Sequence, residues 1–285
     1  MRILILGSTG ILGQTLNFFL LNNKKNKIFY ISRKKSLTNK SHLYLEDFKN
    51  FTKLKKLILT INPTHIVNCL GVTKYNDTYK LNEETKVINT KLPKFLSILC
   101  LKNKIYMIHI STDCVFSGKK GNYSELSKKD AKDLYAITKN KGEIKNKFVT
   151  TIRTSFIGPE KKTYKSLLSW FLKQKKEVNG YNKAFFSGLT SLELAKIIYK
   201  FFLTKKIFYN MIINVGGNKI SKYLLLKKIA KIFNKKIIIK KFSTFKINRS
   251  LNNNKFIRKS NYKILSWDIM LKDLKLFMIT NKYKY

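Results

Sequence analysis

Tyr135 and Lys139 stand four residues apart in a stretch with helical patterning, a spacing that puts both on one helix face. A lysine ammonium beside a phenol favours phenolate and would lower the tyrosine pKa. Such a tyrosine can exchange a proton with a sugar oxygen while hydride moves to or from a nicotinamide. Thr112, at the end of the apolar run that closes on Ser111-Thr112-Asp113, offers a hydroxyl to hold the reacting oxygen. Spacing alone carries no weight in this chain. With 15 tyrosines and 54 lysines in 285 residues, roughly three Tyr-x-x-x-Lys pairs arise by chance. Three occur: Tyr30/Lys34, Tyr135/Lys139 and Tyr223/Lys227. Tyr30 lies in a strand pattern, where a spacing of four does not bring Lys34 beside it. Tyr223 has no hydroxyl-bearing strand end nearby in sequence. Tyr135 follows the Ser-Thr strand end by about twenty residues.

A hydride carrier has to be held. Met1–Gly13 reads as a strand, a tight turn and a helix start, with glycines at 7, 10 and 13. Gly7 permits the turn, Gly10 lets backbone approach a pyrophosphate, and Gly13 lets the helix pack closely on the sheet. Thr9, Ile11 and Leu12 complete the candidate cradle, whose helix N-terminus points N–H groups at phosphate. A ligand-free βα turn is the bland alternative. After the second strand, Ser32-Arg33-Lys34-Lys35 contains no carboxylate. Arg33 can fork onto a 2′-phosphate and stack on adenine, and Ser32 can donate a hydrogen bond, which favours NADP(H) over NAD(H). Arg33 is the stronger signal, because lysine occurs everywhere and arginine only five times.

The elements that must position these groups alternate. Strands are expected at 28–32, 43–45, 65–70, 104–110 and 148–154. Helices are expected at 51–60, at 81–103 with an interruption near Pro93, and at 130–146. That rhythm predicts an α/β fold, a doubly wound parallel sheet with continuous apolar strands. After about residue 155 the rhythm changes. Helices at 166–176, 191–202 (with Ser191 as a possible N-cap), 221–233 and 267–278, with short strands at 211–215 and 237–240, suggest a smaller lobe. We expect a dinucleotide-binding domain over 1–160, completed by parts of 185–217, and a mainly substrate-binding lobe over 161–285.

The formal net charge of +44 invites a nucleic-acid reading. The lysines are spread along the whole chain, arginine is scarce, and residues with A/T-rich codons are in excess. A compositional bias therefore explains the charge better than a functional nucleic-acid partner does. No apolar run approaches a membrane span or a signal-peptide core. Cys69, Cys100 and Cys114 are odd in number and widely spaced, which suits a reducing, cytoplasmic setting. No residues show metal-ligand spacing.

Ser111-Thr112-Asp113-x-Val115-Phe116-x-Gly118, Tyr123-x-Glu125 and Tyr135-x-x-Thr138-Lys139-x-x-Gly142-Glu143 together resemble the dTDP-4-dehydrorhamnose reductase family. These are extended short-chain dehydrogenase/reductases, Rossmann-type enzymes acting on nucleotide sugars. The resemblance continues in Ile66–Gly71, Val87–Pro93, Ile152–Ser155 and Asn248–Phe256, and covers nearly the whole chain. It implies NADPH-dependent reduction of a nucleotide-linked 4-keto-6-deoxy sugar for surface polysaccharide synthesis. Tyr135 would be the general acid. Lys139 would tune it and hold the nicotinamide ribose, and Thr112 would hydrogen-bond the keto oxygen. Asn68, Cys69, Leu70 and Gly71 would line the cofactor, with Asp47 and Phe48 beside adenine. Family members are sometimes linked to Mg²⁺, for which the sequence shows no carboxylate cluster, and a homodimer is the candidate assembly. The chain departs from the common pattern at Cys114 (usually Tyr), at Ala136 (usually Gly) and over Gly71-Val-Thr-Lys-Tyr-Asn76. An epimerase or dehydratase, or a non-catalytic dinucleotide-binding subunit, are the other readings. Arg153 and Arg249 suggest a need for a planar fork, such as a diphosphate. Trp170, Tyr181 and Phe185 could stack on a base or pack a core, and Asn89 could fix a backbone group near Lys139.

Overall fold

The computed structural model describes residues 1–21, 26–33, 41–73, 79–160, 166–205 and 207–283. Strands β1 (Arg2–Leu6), β2 (Lys27–Ser32), β3 (His42–Tyr44), β4 (His65–Asn68), β5 (Tyr106–Thr112) and β6 (Val149–Thr154) build the central sheet. The chain then adds β7 (Phe156–Ile157), β8 (Glu177–Tyr181), β9 (Ala184–Phe186) and β10 (Leu189–Thr190), and β11 (Ile212–Asn214) returns to the sheet's edge. The order is β11-β6-β5-β4-β1-β2-β3, with every pairing parallel. The order reverses between β1 and β4, the place where doubly wound sheets open a crevice.

Residue alternation divides the core between two faces. Ile3 and Ile5 of β1 pack with α1 (Ile11–Leu21), while Leu4 and Leu6 pack with α2 (Phe51–Ile61). Helix α3 (Tyr79–Lys86), a π-helical turn (Val87–Lys91) and α4 (Leu92–Asn103) form one continuous helical run. The interruption expected near Pro93 takes the form of this π-helical turn, with Pro93 directly after it in the first turn of α4 and the chain helical throughout. Helix α5 (Leu134–Lys141) starts later than the sequence suggests, at an Asp133 cap whose carboxylate accepts from Ala136 N at 3.0 Å.

The remaining helices are α6 (Leu167–Lys173), α7 (Ser191–Ile197, extended by a π-helical segment to Thr204), α8 (Lys222–Ile232), α9 (Asn254–Ser260) and α10 (Trp267–Thr280). Thr190 caps α7, not Ser191. Ser191 is fully buried and accepts from Thr15 Oγ1 at 2.9 Å, pinning α7 to α1. Short strands β12 (Ile220–Ser221), β13 (Ile238–Phe242) and β14 (Ile247–Asn248) complete the small sheets β12-β9-β14 and β13-β8. Among the described residues no helix is long and apolar enough to cross a membrane.

One long-range contact positions the loop after β5. Asn248 N donates to Gly118 O at 2.7 Å, Tyr123 N to Ser250 O at 2.9 Å, and Asn252 N to Tyr123 O at 2.8 Å. Phe116 and Tyr123 stack 4.3 Å apart, and Leu251 closes over them. The Tyr123 hydroxyl accepts from Gly118 N and Lys120 N, both at 3.1 Å.

Candidate active site

The glycine turn lies at the switch point. Gly7 has φ +82°, and a Cβ on it would come within 3.0 Å of the Cys69–Leu70 backbone. A Cβ on Gly13 would sit 2.2 Å from Gly7 O. The start of α1 is therefore pressed against the turn, and only glycine allows that. Gly10 N donates to Gly7 O at 3.1 Å, and Thr9 O accepts from Gln14 Nε2. Leu12 is in the core, so it contributes backbone only to a ligand, while Ile11 is half-buried.

Beside the turn opens a cavity of about 510 Å³, lined by Arg33, Asp47, Phe48, Leu70, Gly71 and Glu84 among others. Asp47 is engaged locally, accepting from Lys49 N at 2.8 Å and facing Lys49 Nζ at 3.3 Å. Arg33 is exposed, and its Nη1 lies 3.2 Å from Glu84 Oε1. Ser32 differs from the expectation: it is buried, and its hydroxyl lies 2.7 Å from His42 Nε2 on the neighbouring strand. Asn68 is fully buried, accepts from Leu70 N at 3.2 Å, and its amide faces His109 Nδ1 at 3.1 Å. Burial pushes the Cys69 thiol up to about 12, making it inert at neutral pH.

Thr112 ends β5 and caps a short 3₁₀ turn, its hydroxyl accepting from Cys114 N at 3.1 Å and donating to Asp113 Oδ1 at 3.2 Å. The Tyr135 side chain on α5 lies close enough to Thr112, Cys114 and Asp113 for each to act on its phenol. The Tyr135 phenol is raised from its ordinary value, first by burial, with Cys114 and Asp113 adding to the effect. The direction is opposite to the lowering expected from Lys139, which is not among its causes. Lys139 is buried and donates through Nζ to Ile110 O at 2.6 Å. Burial lowers its pKa to about 8, opposed by Glu143 and Cys69. One of its three N–H donors is thus engaged by the β5 backbone.

Beneath Lys139 lies a buried ion pair. Arg153 Nε and Nη2 each meet a Glu143 carboxylate oxygen at 2.8 Å, and Ser111 Oγ donates to Glu143 at 2.8 Å. Both side chains are 1% exposed. The planar fork of Arg153 is therefore used, but on a carboxylate and not on a diphosphate. Asn89, in the π-helical turn, holds both the N–H and C=O of Val72 at 3.0 Å and touches Thr138 Oγ1 at 3.3 Å. It fixes the strand of backbone leaving Gly71, a firmer role than the sequence indicates. Arg249 arrives at the site from the distant β14 segment: Nε donates to Phe116 O at 3.0 Å, and Nη1 lies 3.5 Å from Cys114 Sγ.

The family model described as the RmlD substrate binding domain matches residues 1–231. The chain belongs to this family, that of the dTDP-4-dehydrorhamnose reductases. A dTDP-4-keto-6-deoxy-D-glucose reductase of Streptomyces niveus is 26% identical over 143 residues, 50% of this chain and 46% of that protein. The chain spans about half the length of the curated relatives it matches. Among solved structures, a dTDP-4-dehydrorhamnose reductase of Clostridium acetobutylicum superposes with a TM-score of 0.81 at 19% identity, over 98% of this chain and 100% of that one. The Bacillus anthracis dTDP-4-dehydrorhamnose reductase, in complex with NADP, gives 0.81 at 21%, over 97% and 98%. At these identities the structures share the fold.

In this reductase-family chain the structure brings Thr112, Tyr135 and Lys139 to the C-terminal edge of the sheet that also carries the glycine turn. The Tyr181 ring packs on Phe242 and Phe245, and Phe185 lies under Lys219, so both serve the smaller sheets. Trp170 is 38% exposed on α6. The variant stretch Gly71–Asn76 lies partly outside the described residues, as do Lys34 and Lys35. Sequence reading passed over Glu84, Asp113 and the placement of Arg249. The scarcity of acidic residues in so basic a chain was a usable signal for Glu84.

Proposed function

We propose that this chain is an NADPH-dependent reductase of a nucleotide-linked 4-keto-6-deoxy sugar. The substrate we assign is dTDP-4-dehydro-L-rhamnose, reduced to dTDP-L-rhamnose for surface polysaccharide. The observation that carries the reading is the placement of the Tyr135 phenol beside Thr112 at the end of β5, with Lys139 one helical turn on and buried against Ile110 O. All three lie on the sheet edge that holds the Cβ-free glycine turn. NADPH, when bound, supplies the hydride. The turn at Gly7–Gly13 and the first N–H groups of α1 would hold its pyrophosphate. Phe48 and Asp47 would flank the adenosine, Arg33 would meet a 2′-phosphate, and Asn68–Gly71 would line the path to the nicotinamide. Thr112 would orient the keto oxygen, and Tyr135 would give it a proton. A phenol raised by burial is protonated at neutral pH, the state a reductive proton donor needs. Lys139 would hold the nicotinamide ribose.

The 1–160 segment, with parts of 185–217, would be the cofactor half and 161–285 mainly the substrate lobe, in a cytoplasmic enzyme that pairs as a homodimer. The test is incubation with NADPH and a panel of dTDP- and UDP-linked 4-keto sugars, following absorbance of the reduced nicotinamide. Turnover of the dTDP-4-keto-6-deoxy sugar is expected, and no turnover of any member refutes the reading. Tyr135→Phe is expected to abolish turnover while sparing NADPH binding, and a fully active variant removes Tyr135 from the chemistry.

A further inference from the structure

The cavity beside the glycine turn runs against the composition of the chain. Fifteen acidic residues in 285 put fewer than one on ten residues, yet among the described residues the ten that line this cavity include Glu46, Asp47 and Glu84. A bias toward lysine does not produce that. Asp47 is occupied with Lys49. Glu84 reaches from α3 to Arg33 at the end of β2, joining two elements across the cavity. Arg33 is the cation that would receive a 2′-phosphate, and its Nη1 is held by Glu84.

Resting on the dinucleotide reading above, we propose that Glu84 is a specificity-determining residue that sets the preference between phosphorylated and unphosphorylated cofactor by competing for Arg33. A cofactor with a free ribose 2′-hydroxyl enters with the Arg33–Glu84 pair intact. A cofactor with a 2′-phosphate has to take Arg33 from Glu84 and then rest near that carboxylate. Both effects weaken phosphorylated-cofactor binding and leave the unphosphorylated one nearly untouched. The pair is solvent-exposed, with side chains 66% and 32% accessible, so the exchange is cheap and the discrimination graded.

The experiment is a fluorescence titration of the full chain with NADPH and with NADH, before and after Glu84→Gln. NADPH is expected to bind about two- to five-fold more tightly in the variant, the range an exposed ion pair supports, with NADH unchanged. Glu83→Gln is the control: it removes the same charge one residue away, from a side chain paired with Lys86 at 2.7 Å. It is expected to leave the NADPH-to-NADH ratio alone. An unchanged ratio in Glu84→Gln overturns the proposal, as does an equal change in Glu83→Gln, which would show a general field effect. If neither dinucleotide binds the wild-type chain, the cofactor reading itself falls and takes the proposal with it.

Discussion

Replacing Lys139 by Met should make the protein more stable at neutral pH. Lys139 is 3% exposed, and burial lowers its pKa from 10.5 to about 8. Between those values the unfolded chain binds a proton that the folded chain does not, so stability rises with pH across that window. At pH 7 both states carry the proton, and the folded state bears the full cost of the buried charge, about 3 kcal/mol. Met fills similar volume without charge. It forfeits the hydrogen bond to Ile110 O, a loss of about 1 kcal/mol. The net gain is about 2 kcal/mol at pH 7, or about 4 °C in Tm for a chain of this size. By pH 10.5 the buried charge is gone while the hydrogen bond to Ile110 O is still lost, so the variant should be slightly less stable than wild type. Urea unfolding of both chains at pH 7 and pH 10.5 measures the difference directly. A variant less stable than wild type at pH 7, or a difference that does not change with pH, refutes the burial argument. The same variant is expected to be inactive, so stability and turnover would move in opposite directions.

Two further substitutions test the scaffold. Gly13→Ala places a Cβ 2.2 Å from Gly7 O, so the turn must open; NADPH affinity should fall at least about ten-fold by fluorescence titration, for a cost above about 1.4 kcal/mol. Arg153→Met leaves the Glu143 carboxylate buried with its main partner gone, and should cost about 3–5 kcal/mol in urea unfolding; a loss below about 1 kcal/mol would show the pair to be dispensable.

The sheet was legible because its strands are short apolar runs at regular spacing, and β1, β2 and β6 fall within a residue of where the pattern puts them. The small sheets were not. β9, β10, β12 and β14 are two or three residues long, too short for any period to show, and they exist because distant backbone pairs with them. The same distinction holds at the site. Thr112, Tyr135 and Lys139 could be singled out because two of them share a helix and the third ends a strand. The sign of the Tyr135 shift could not, because it depends on burial and on where the Lys139 ammonium points. Arg249 was noticed for its rarity, but its neighbour Cys114 lies 135 residues away, and nothing local joins them.

The clamp between residues 118–123 and 248–252 bears on the order in which a growing chain can become competent. The glycine turn, β2 and β4 all lie between residues 2 and 70, so they can come together from near neighbours. The loop carrying Phe116 and Tyr123 has to wait for Asn248, Ser250 and Leu251, more than a hundred residues downstream. Sequence separation of that kind slows assembly. A chain made from its N-terminal side therefore completes the glycine turn and the strands around it well before the loop beyond Thr112 can be locked in place.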